Sequence, residues 1–277
     1  MSRVVLLGLS ITSSWGNGHA TCYRGLMAAL GRRGHDVLFL EREQAWYAEH
    51  RDLPEPPGGS TQLYGSLEEL RDVHQQQIRA ADLVVVGSYV PDGIAVGDFV
   101  LAEARGRTAF YDIDTPVTLE RLERGDCPYV SAAQIGRYDV YFSFTGGPIL
   151  RHLEQQLGSP RAVELNCAVD PTVHRPSRTT PRFDLGYLGT YSIDRQAHVD
   201  ELLLAPALAW PDGRFVVAGS MFPDRSTWPA NVAHLEHLPP ERHADFYSAQ
   251  RFTLNVTRAP MRRWGHSPSV RLFEAAA

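Results

Sequence analysis

The chain has 277 residues, of which 43% are hydrophobic and 21% charged, so it can bury a sizeable core and is not a disordered protein. Its net charge is −5, and all 27 basic residues are arginine, so no basic surplus is available to neutralise nucleic-acid phosphates. Nucleic acid is therefore excluded as an obligatory partner, and the length predicts about two domains.

Three cysteines, Cys22, Cys127 and Cys167, lie far apart and form no CxxC pair. This spacing predicts neither a disulfide framework nor a zinc site, and it favours a reducing, cytoplasmic location. The apolar run at residues 4–7 is too short for a signal peptide, and no stretch approaches the roughly 20 apolar residues of a membrane span. We predict no transmembrane segment, while peripheral membrane contact stays open.

Short apolar runs alternate with amphipathic segments along the first half of the chain. Three consecutive valines at residues 84–86 are typical of a buried strand in a parallel sheet. The predicted strands are residues 4–9, 36–41, 83–87, 108–113, 140–143 and 162–167, and the predicted helices are residues 18–33, 67–80, 94–104 and 149–157. This alternation predicts an α/β fold with a doubly wound parallel sheet.

A polar, proline-rich stretch at residues 170–181 is the predicted linker, and the same alternation begins again after it. The predicted strands there are residues 183–188, 214–218, 232–235 and 252–256, and the predicted helices are residues 198–204 and 241–250. The sequence thus predicts two Rossmann-like domains, residues 1–168 and 169–277. The second is expected to be incomplete, because doubly wound domains carry about five or six strands.

The loop after the first predicted strand contains Gly16, Gly18 and His19. Ligands of parallel α/β sheets bind beyond the carboxyl ends of the strands, which favours a ligand site in this loop. Gly8 stands alone and the other two glycines arrive late, so the GxGxxG fingerprint is absent and NAD and FAD are disfavoured. Two interpretations stay open: a substrate loop, and a glycine-rich surface loop with His19 beside a helix N-cap.

Asp112 and Asp114 form an Asp-x-Asp pair at the end of another predicted strand. Two acids two apart on an extended chain point the same way and can share a divalent cation. Alternatively, one of them caps the following helix and the other hydrogen-bonds to a loop. We favour a role for Asp114 toward a substrate hydroxyl, as general base or by hydrogen bonding.

Two further loops combine glycine with features of a binding site. Gly146 and Gly147 follow a predicted strand and open a helix, which suits close ligand approach and suits a simple tight turn nearly as well. Gly189 lies in the glycine-flanked loop at residues 186–192, and Arg195 follows it. A glycine loop with a cation at the head of a helix is typical of a diphosphate site.

The last thirteen residues hold a Gly/Ser/Pro loop that runs into a helix start. Backbone N–H groups at such a start favour phosphate, which makes Ser267 and Ser269 candidate diphosphate contacts. Glu274, one turn into the helix, is placed to reach ribose hydroxyls. The chain stops at Ala277 with no following strand, so we expect either a very short final helix or a fragment of a longer protein.

No metal site is predicted. His234, His237 and His243 lie close together in the sequence, but their spacing matches no zinc template. We expect these histidines to be structural or exposed to solvent.

The order and spacing of these segments resemble the CgeB-like (spore-maturation type) members of the group-1 GT-B glycosyltransferase superfamily. The resemblance covers essentially the whole chain. The segments that carry it are residues 15–19, 111–116 and 144–148 in the first half, and residues 169–171, 184–192, 215–219, 237–240, 253–258 and 267–277 in the second. It implies an acceptor-side domain followed by a nucleotide-sugar donor domain.

The superfamily's donor signature is a pair of glutamates with seven residues between them. By resemblance Glu274 is the second and would hold the donor's ribose hydroxyls, while His266 stands in place of the first, near the transferred sugar. Arg195 matches an arginine on the diphosphate, and the matching lysine is absent. The candidate catalytic residues are thus Asp114, His19 and His266. The candidate binding residues are Gly16, Gly18, Gly146, Gly147, Gly189, Arg195, Ser267, Ser269 and Glu274.

The resemblance implies sugar transfer from a nucleotide-diphospho-sugar to a hydroxyl of a glycan, protein or small-molecule acceptor. It implies no cofactor, no metal and retention of configuration. In relatives the Glu-Ala-Ala-Ala stretch continues into Cys-Gly and further elements, so the donor domain is expected to be incomplete here. Two alternatives stay open: a non-catalytic glycan- or nucleotide-binding protein, favoured by His266, and a GT-B-type sugar-nucleotide epimerase or hydrolase.

Overall fold

The computed structural model describes all residues, Met1–Ala277. The chain forms two compact units, the first comprising Met1–Cys167 with Arg263–Pro268 and the second comprising Ala168–Arg262 with Ser269–Ala277. The division after Cys167 lies one residue before the domain boundary predicted from sequence. The short segment Arg263–Pro268, which we placed in the second domain, packs with the first unit instead.

The first unit contains a seven-stranded sheet in which every neighbouring pair is parallel. Its strands are β1 (Arg3–Gly8), β2 (Asp36–Arg42), β3 (Ser60–Tyr64), β4 (Leu83–Gly87), β5 (Arg107–Asp112), β6 (Val140–Ser143) and β7 (Ala162–Glu164). The spatial order is β3-β2-β1-β4-β5-β6-β7. The order reverses between β1 and β4, and ligands of such sheets bind beyond the carboxyl ends of the strands at this reversal.

Helices lie between successive strands of this sheet along the chain, as connections between parallel strands require. They are α1 (His19–Arg32), α2 (Ala45–Ala48), α3 (Leu67–Ala80), α4 (Gly93–Glu103), α5 (Thr115–Arg124), α6 (Ala132–Ile135) and α7 (Pro148–Gln155). The central strands are buried on both faces: Leu7 and Phe110 on one face are 0% exposed, and Leu6, Val85 and Ala109 on the other are at most 6% exposed. This double burial explains why their sequences are continuous apolar runs.

The second unit repeats the same construction on a smaller scale. Its four parallel strands are β8 (Phe183–Leu188), β9 (Phe215–Ala218), β10 (Val232–Leu235) and β11 (Gln250–Thr253), in the order β10-β9-β8-β11. The remaining helices of the chain are α8 (Ile193–Val199), α9 (Ala205–Ala209), α10 (His243–Ser248), α11 (Ala259–Trp264) and α12 (Val270–Ala276). The strand order reverses between β8 and β11, which makes their carboxyl ends the expected ligand edge.

The predicted elements are confirmed in the sheet centres and differ at the edges. Strand β3 was missed because, of its five residues, Tyr64 alone is buried, so the segment carries no apolar run. Strand β11 begins two residues earlier than predicted, and its Phe252 is 71% exposed because β11 is an edge strand. The helix predicted at residues 198–204 begins earlier, at Ile193, and continues through a π-helical stretch, Asp200–Leu204.

None of the helices combines the length and the apolar character that crossing a membrane requires.

Candidate functional site

The loop after β1 is anchored by Glu41, a fully buried carboxylate at the end of β2. The Ser10 hydroxyl donates to Glu41 at 2.9 Å, and the Ile11 N–H donates at 2.7 Å. The Thr12 N–H and hydroxyl donate at 3.0 and 2.7 Å. The first part of the predicted ligand loop is therefore used internally, because its donors satisfy a buried charge.

The second part of the loop leads into α1. Gly16 and Gly18 are both exposed, and Gly16 has φ +59°, a left-handed conformation that favours glycine. The Asn17 side chain holds this turn: its amide donates to the Ser10 and Ser13 carbonyls at 3.1 Å, and its oxygen accepts from the His19 N–H at 3.0 Å. His19 is thus fixed as the first residue of α1.

His19, Tyr89 and Asp114 lie together at the carboxyl edge of the first sheet; we call them the His19 cluster. The His19 and Tyr89 rings pack edge to face with centroids 5.3 Å apart, and the Tyr89 hydroxyl donates to Asp114 at 2.9 Å. Tyr89 has φ +64°, which is unfavourable for an aromatic residue and typical of functional sites. Two of the three candidate catalytic residues are therefore neighbours, and sequence reasoning missed Tyr89, which contacts both.

The pKa of His19 lies below its usual value. Burial is the larger cause, because it disfavours the imidazolium, and the negative charge of Asp114 acts in the opposite direction. At neutral pH His19 is therefore mainly the neutral imidazole, the form that can accept a proton.

Asp112 and Asp114 have different partners. Asp112 is fully buried and accepts from the Tyr141 hydroxyl at 2.5 Å, the Thr118 hydroxyl at 2.9 Å and the Asp114 N–H at 3.0 Å. Asp114 is half-buried, stands at the N-cap of α5 and binds Tyr89. Asp112 therefore holds the start of α5, and Asp114 is the carboxylate left at the edge of the sheet.

Asp112 gives a testable pH dependence. Burial raises its pKa to about 6, against the opposing hydrogen bonds from Tyr141, Asp114 and Thr118. Because the folded state holds this proton more tightly than the unfolded state, stability falls as pH rises from about 4 to about 6. The Asp112→Asn variant lacks this titration. In urea unfolding it should gain about 2–3 kcal/mol relative to the wild type between pH 4 and pH 7.

Asp139→Asn is the matched control for this measurement. A backbone hydrogen bond from Thr108 is the largest cause that lowers the pKa of Asp139, which also pairs with Arg107 at 2.7 Å. Its contribution is present at neutral pH and lost as pH falls, so this variant should lose stability relative to the wild type as pH rises. A stability difference for Asp112→Asn that stays constant with pH would contradict the prediction.

Gly146 and Gly147 pack closely against their own unit. A Cβ on Gly146 would lie 2.1 Å from the Glu164 carboxylate, and one on Gly147, which has φ +67°, would lie 2.6 Å from the His266 ring. The Gly146 N–H donates to the His266 carbonyl at 3.0 Å, and the hydroxyls of Thr145 and Ser267 are 2.8 Å apart. The structure therefore brings the predicted residues Gly146, Gly147, His266 and Ser267 together. The close contacts within the unit explain why positions 146 and 147 are glycine.

The second unit places three arginines near the carboxyl ends of β8 and β11; we call them the arginine cluster. Arg195 lies on α8 after β8, Arg258 follows β11, and Arg271 lies on α12. The Arg271 guanidinium lies 4.9 Å from the centroid of the Tyr187 ring. These three cations stand at the strand-order reversal, where anionic ligands of parallel sheets are expected.

Hydrogen bonds to loop backbone and to one amide fix this cluster. The Arg271 Nε donates to the Leu188 carbonyl at 2.5 Å, and the Arg195 Nη2 donates to the Thr190 carbonyl at 2.6 Å. The Asn255 side-chain oxygen accepts from Arg271 and from the Ser269 hydroxyl, both at 2.8 Å. The guanidinium groups are therefore preorganised, and Ser269 supports them through Asn255.

Glycine is required beside the cluster. A Cβ on Gly189 would lie 2.7 Å from the Tyr187 hydroxyl and 2.8 Å from the Arg271 Nη2. At Gly219, which has φ +152°, a Cβ would lie 2.1 Å from the Gly189 carbonyl oxygen. The predicted residue Gly189 is thus part of this edge because any side chain would displace the arginines.

The cluster carries excess positive charge. The pKa of Arg195 lies below its usual value: burial is the largest cause, Arg271 and Arg258 lower it further, and Tyr187 and Asp194 oppose them. Arg258 also pairs with Asp194 at 3.5 Å. Three neighbouring guanidinium groups form a site that an anionic ligand would stabilise.

Glu274 is buried and already holds two side chains. Its Oε1 accepts from His243 Nδ1 at 3.0 Å, and its Oε2 accepts from the Tyr247 hydroxyl at 2.9 Å. Burial acts to raise its pKa, but the hydrogen bonds from His243 and Tyr247 and the charges of His243 and His174 outweigh it, so the pKa lies below its usual value. Its predicted contact with ribose stays a prediction. To make that contact, Glu274 would have to exchange its hydrogen bond with His243 or Tyr247 for one with a ribose hydroxyl.

Sequence reasoning missed Arg258 and Arg271. The available signal for Arg271 was its position three residues before Glu274, which places both side chains on one face of the final helix. For Arg258 the signal was its place just after the last predicted strand, at the ligand edge of the sheet.

Residues 195–277 match a family model described as glycosyl transferase-like. No curated protein matches the sequence. The matched segment begins at Arg195 and contains Arg258 and Arg271, so it includes the whole arginine cluster.

Solved structures are similar over nearly the whole chain. Sucrose-phosphate synthase from Thermosynechococcus elongatus is 14% identical with a TM-score of 0.62, covering 91% of this chain and 75% of its own. An alpha-glucosyltransferase in complex with UDP and a 13-mer DNA is 13% identical with a TM-score of 0.61, covering 97% and 78%. The S. aureus MnaA–UDP structure is 11% identical with a TM-score of 0.62, covering 95% and 75%. The chain therefore shares the two-sheet α/β fold of these structures, the GT-B fold, and its residues 195–277 match the glycosyl transferase-like family model.

Proposed function

We propose that this protein is a glycosyltransferase that moves a sugar from a nucleotide-diphospho-sugar, with UDP as the nucleotide, to a hydroxyl acceptor. The arginine cluster is the observation that carries the proposal. A departing nucleoside diphosphate accumulates negative charge, and preorganised guanidinium groups stabilise that charge without a bound metal. The family match over the same residues and the UDP named in two of the similar structures support this choice.

The donor diphosphate would bind Arg195, Arg258 and Arg271, with Gly189 allowing Arg271 to approach the loop closely. Arg195 Nε is buried without a hydrogen-bond partner, although Nη2 of the same side chain is held by Thr190. A diphosphate oxygen would satisfy this donor and neutralise the surrounding charge. Ser269 acts through Asn255, and Ser267 and Glu274 remain candidate contacts from sequence.

The acceptor hydroxyl would bind at the His19 cluster in the first unit. Neutral His19 can accept a proton from the hydroxyl, and Asp114 can orient it by hydrogen bonding. Tyr89 fixes the Asp114 carboxylate in place. His266 would lie on the sugar side, as the resemblance implies.

Calorimetric titration of the full chain with UDP, UMP, GDP and dTDP tests the donor half of the proposal. UDP should bind, and UMP should bind at least about tenfold more weakly, because it lacks the second phosphate that the arginines would contact. No binding across the panel, or equal affinity for UMP and UDP, would contradict a diphosphate site. Release of UDP from UDP-sugars in the presence of hydroxyl acceptors then tests transfer.

An epimerase is the second candidate, because a putative UDP-N-acetylglucosamine 2-epimerase from Listeria monocytogenes is among the similar structures, at 11% identity and a TM-score of 0.55. The two functions differ in a simple way. An epimerase would convert UDP-N-acetylglucosamine with no acceptor present, whereas a transferase would need the acceptor. A binding protein on the same scaffold would bind UDP and convert nothing.

We further propose the CgeB-like subtype and a cytoplasmic location. The first is supported by the resemblance of the segments named above. The second is supported by Cys22, Cys127 and Cys167, which are buried free thiols, as expected in a reducing compartment.

A further inference from the structure

We propose that His174, His243 and Glu274 bind a divalent transition-metal ion, with Zn²⁺ as the best fit. All three side chains are buried, at 3%, 9% and 5% exposure, and one ligand atom from each lies within 4.8 Å of the others. Two imidazoles and one carboxylate are a donor set that zinc prefers. The three residues belong to one unit and are distant in sequence.

His174 is the residue that points to a ligand. Both of its ring nitrogens are buried without a hydrogen-bond partner. Such orphaned groups are rare in folded proteins and cost about 1–3 kcal/mol each. Its Nε2 lies 3.7 Å from Glu274 Oε1, which is too far for a hydrogen bond, so the carboxylate does not satisfy this nitrogen.

Two of the three distances between ligand atoms suit a tetrahedral ion, and the third, between the two histidine nitrogens, is at most 4.8 Å. Glu274 Oε1 lies 3.0 Å from His243 Nδ1 and 3.7 Å from His174 Nε2. Zinc with bonds of about 2.0–2.2 Å separates neighbouring ligand atoms by roughly 3.4 Å, between these two values. Three protein ligands leave one position of the ion for water or another small ligand.

The groups around the three ligands orient them as in known metal sites. His243 Nε2 lies 3.0 Å from the Leu238 carbonyl, so this nitrogen carries a hydrogen and Nδ1 faces the site. The Tyr247 hydroxyl donates to Glu274 Oε2, which leaves Oε1 for the ion. A metal ion bound at His243 Nδ1 would replace the direct contact of this nitrogen with Glu274 Oε1.

This inference does not rest on the proposed function. The arginine cluster carries the nucleotide proposal and contains none of the three metal ligands. Glu274, a candidate donor contact from sequence, is the one residue that both proposals name, so the metal test changes only His174 and His243. Loss of zinc binding with normal UDP affinity, or the reverse, would therefore separate the two proposals.

Metal analysis of the purified full chain, expressed with zinc and dialysed, tests the proposal. We expect about one zinc ion per chain in the wild type and in the control variant His198→Ala, whose histidine lies on α8 of the same unit. The variants His174→Phe and His243→Ala should each retain less than about one tenth of an ion. With cobalt in place of zinc, the wild type should show the strong visible absorption of a tetrahedral site. Neither of the two ligand variants should show it.

The variant His174→Phe keeps the test decisive because phenylalanine fills a similar volume. With no metal, it removes two orphaned nitrogens and should raise the melting temperature; with zinc present, the wild type should be the more stable protein. A wild type that binds no zinc and does not gain stability from it would overturn the proposal. Zinc content that is unchanged in folded His174→Phe would overturn it as well.

Discussion

Replacing Arg195 and Arg258 together by methionine is expected to weaken UDP binding by about 100-fold or more in calorimetric titration. Each guanidinium contributes a charge-assisted hydrogen bond of about 1.5–3 kcal/mol to a buried phosphate, which corresponds to roughly tenfold to hundredfold in affinity. Methionine keeps much of the side-chain volume, so packing around α8 and β11 is largely retained. Arg271 is left in place because it holds the Leu188 carbonyl and Asn255, and its loss would disturb the sheet edge itself.

Arg214→Met with Arg251→Met is the matched control. These arginines flank Asp184 at the start of β8, at the opposite edge of the same sheet, with nitrogens 3.7 and 3.4 Å from its carboxylate. The control also removes two positive charges from the second unit, but at the opposite edge of its sheet, so UDP affinity should stay within about twofold. An equal loss of UDP affinity in both double variants would show a general effect of charge. An unchanged UDP affinity in the variant that lacks Arg195 and Arg258 would mean that the nucleotide binds elsewhere.

Glu41→Ala is expected to lower the free energy of unfolding by about 3–5 kcal/mol in urea titration. The substitution leaves the buried donors of Ser10, Ile11 and Thr12 without an acceptor and opens a cavity at the end of β2. Because the same loop leads to His19, we also expect a weaker acceptor interaction in any transfer assay.

Glu43→Ala is the control for this change. Glu43 lies two residues further along, at the surface, where its carboxylate is 38% exposed and pairs with Arg51 at 2.6 Å. Surface ion pairs contribute little, so this variant should stay within about 0.5–1 kcal/mol of the wild type. Similar losses in the two variants would contradict the anchoring role of Glu41.

Much of the fold was predictable from the sequence. The central strands of the first sheet are buried on both faces, and the continuous apolar runs that result are visible in the sequence alone. Strand β3 and the early start of β11 were not predictable, because an edge strand is stabilised by backbone hydrogen bonds to one neighbour and needs few buried side chains. The grouping of Arg263–Pro268 with the first unit was not visible in the sequence, since its packing partners, such as Gly146 and Gly147, are over 100 residues away.

The candidate site was predictable only in part. His19, Asp114, Gly189 and Arg195 were identified because each follows a predicted strand, and the ligand edge of a parallel sheet lies at the carboxyl ends of its strands. The sequence by itself determined the two α/β units, the central strands and this edge, because apolar patterning and the order of elements along the chain are local or nearly local properties.

Only the tertiary structure decided which side chains meet. It placed Tyr89 against His19 and Asp114, gathered Arg258 and Arg271 around Arg195, and brought His174 and His243 to Glu274. His243 and His174 are 31 and 100 residues away from Glu274 in the chain. No pattern of spacing encodes such contacts, because they arise from the crossover connections that return each strand to the same edge of its sheet.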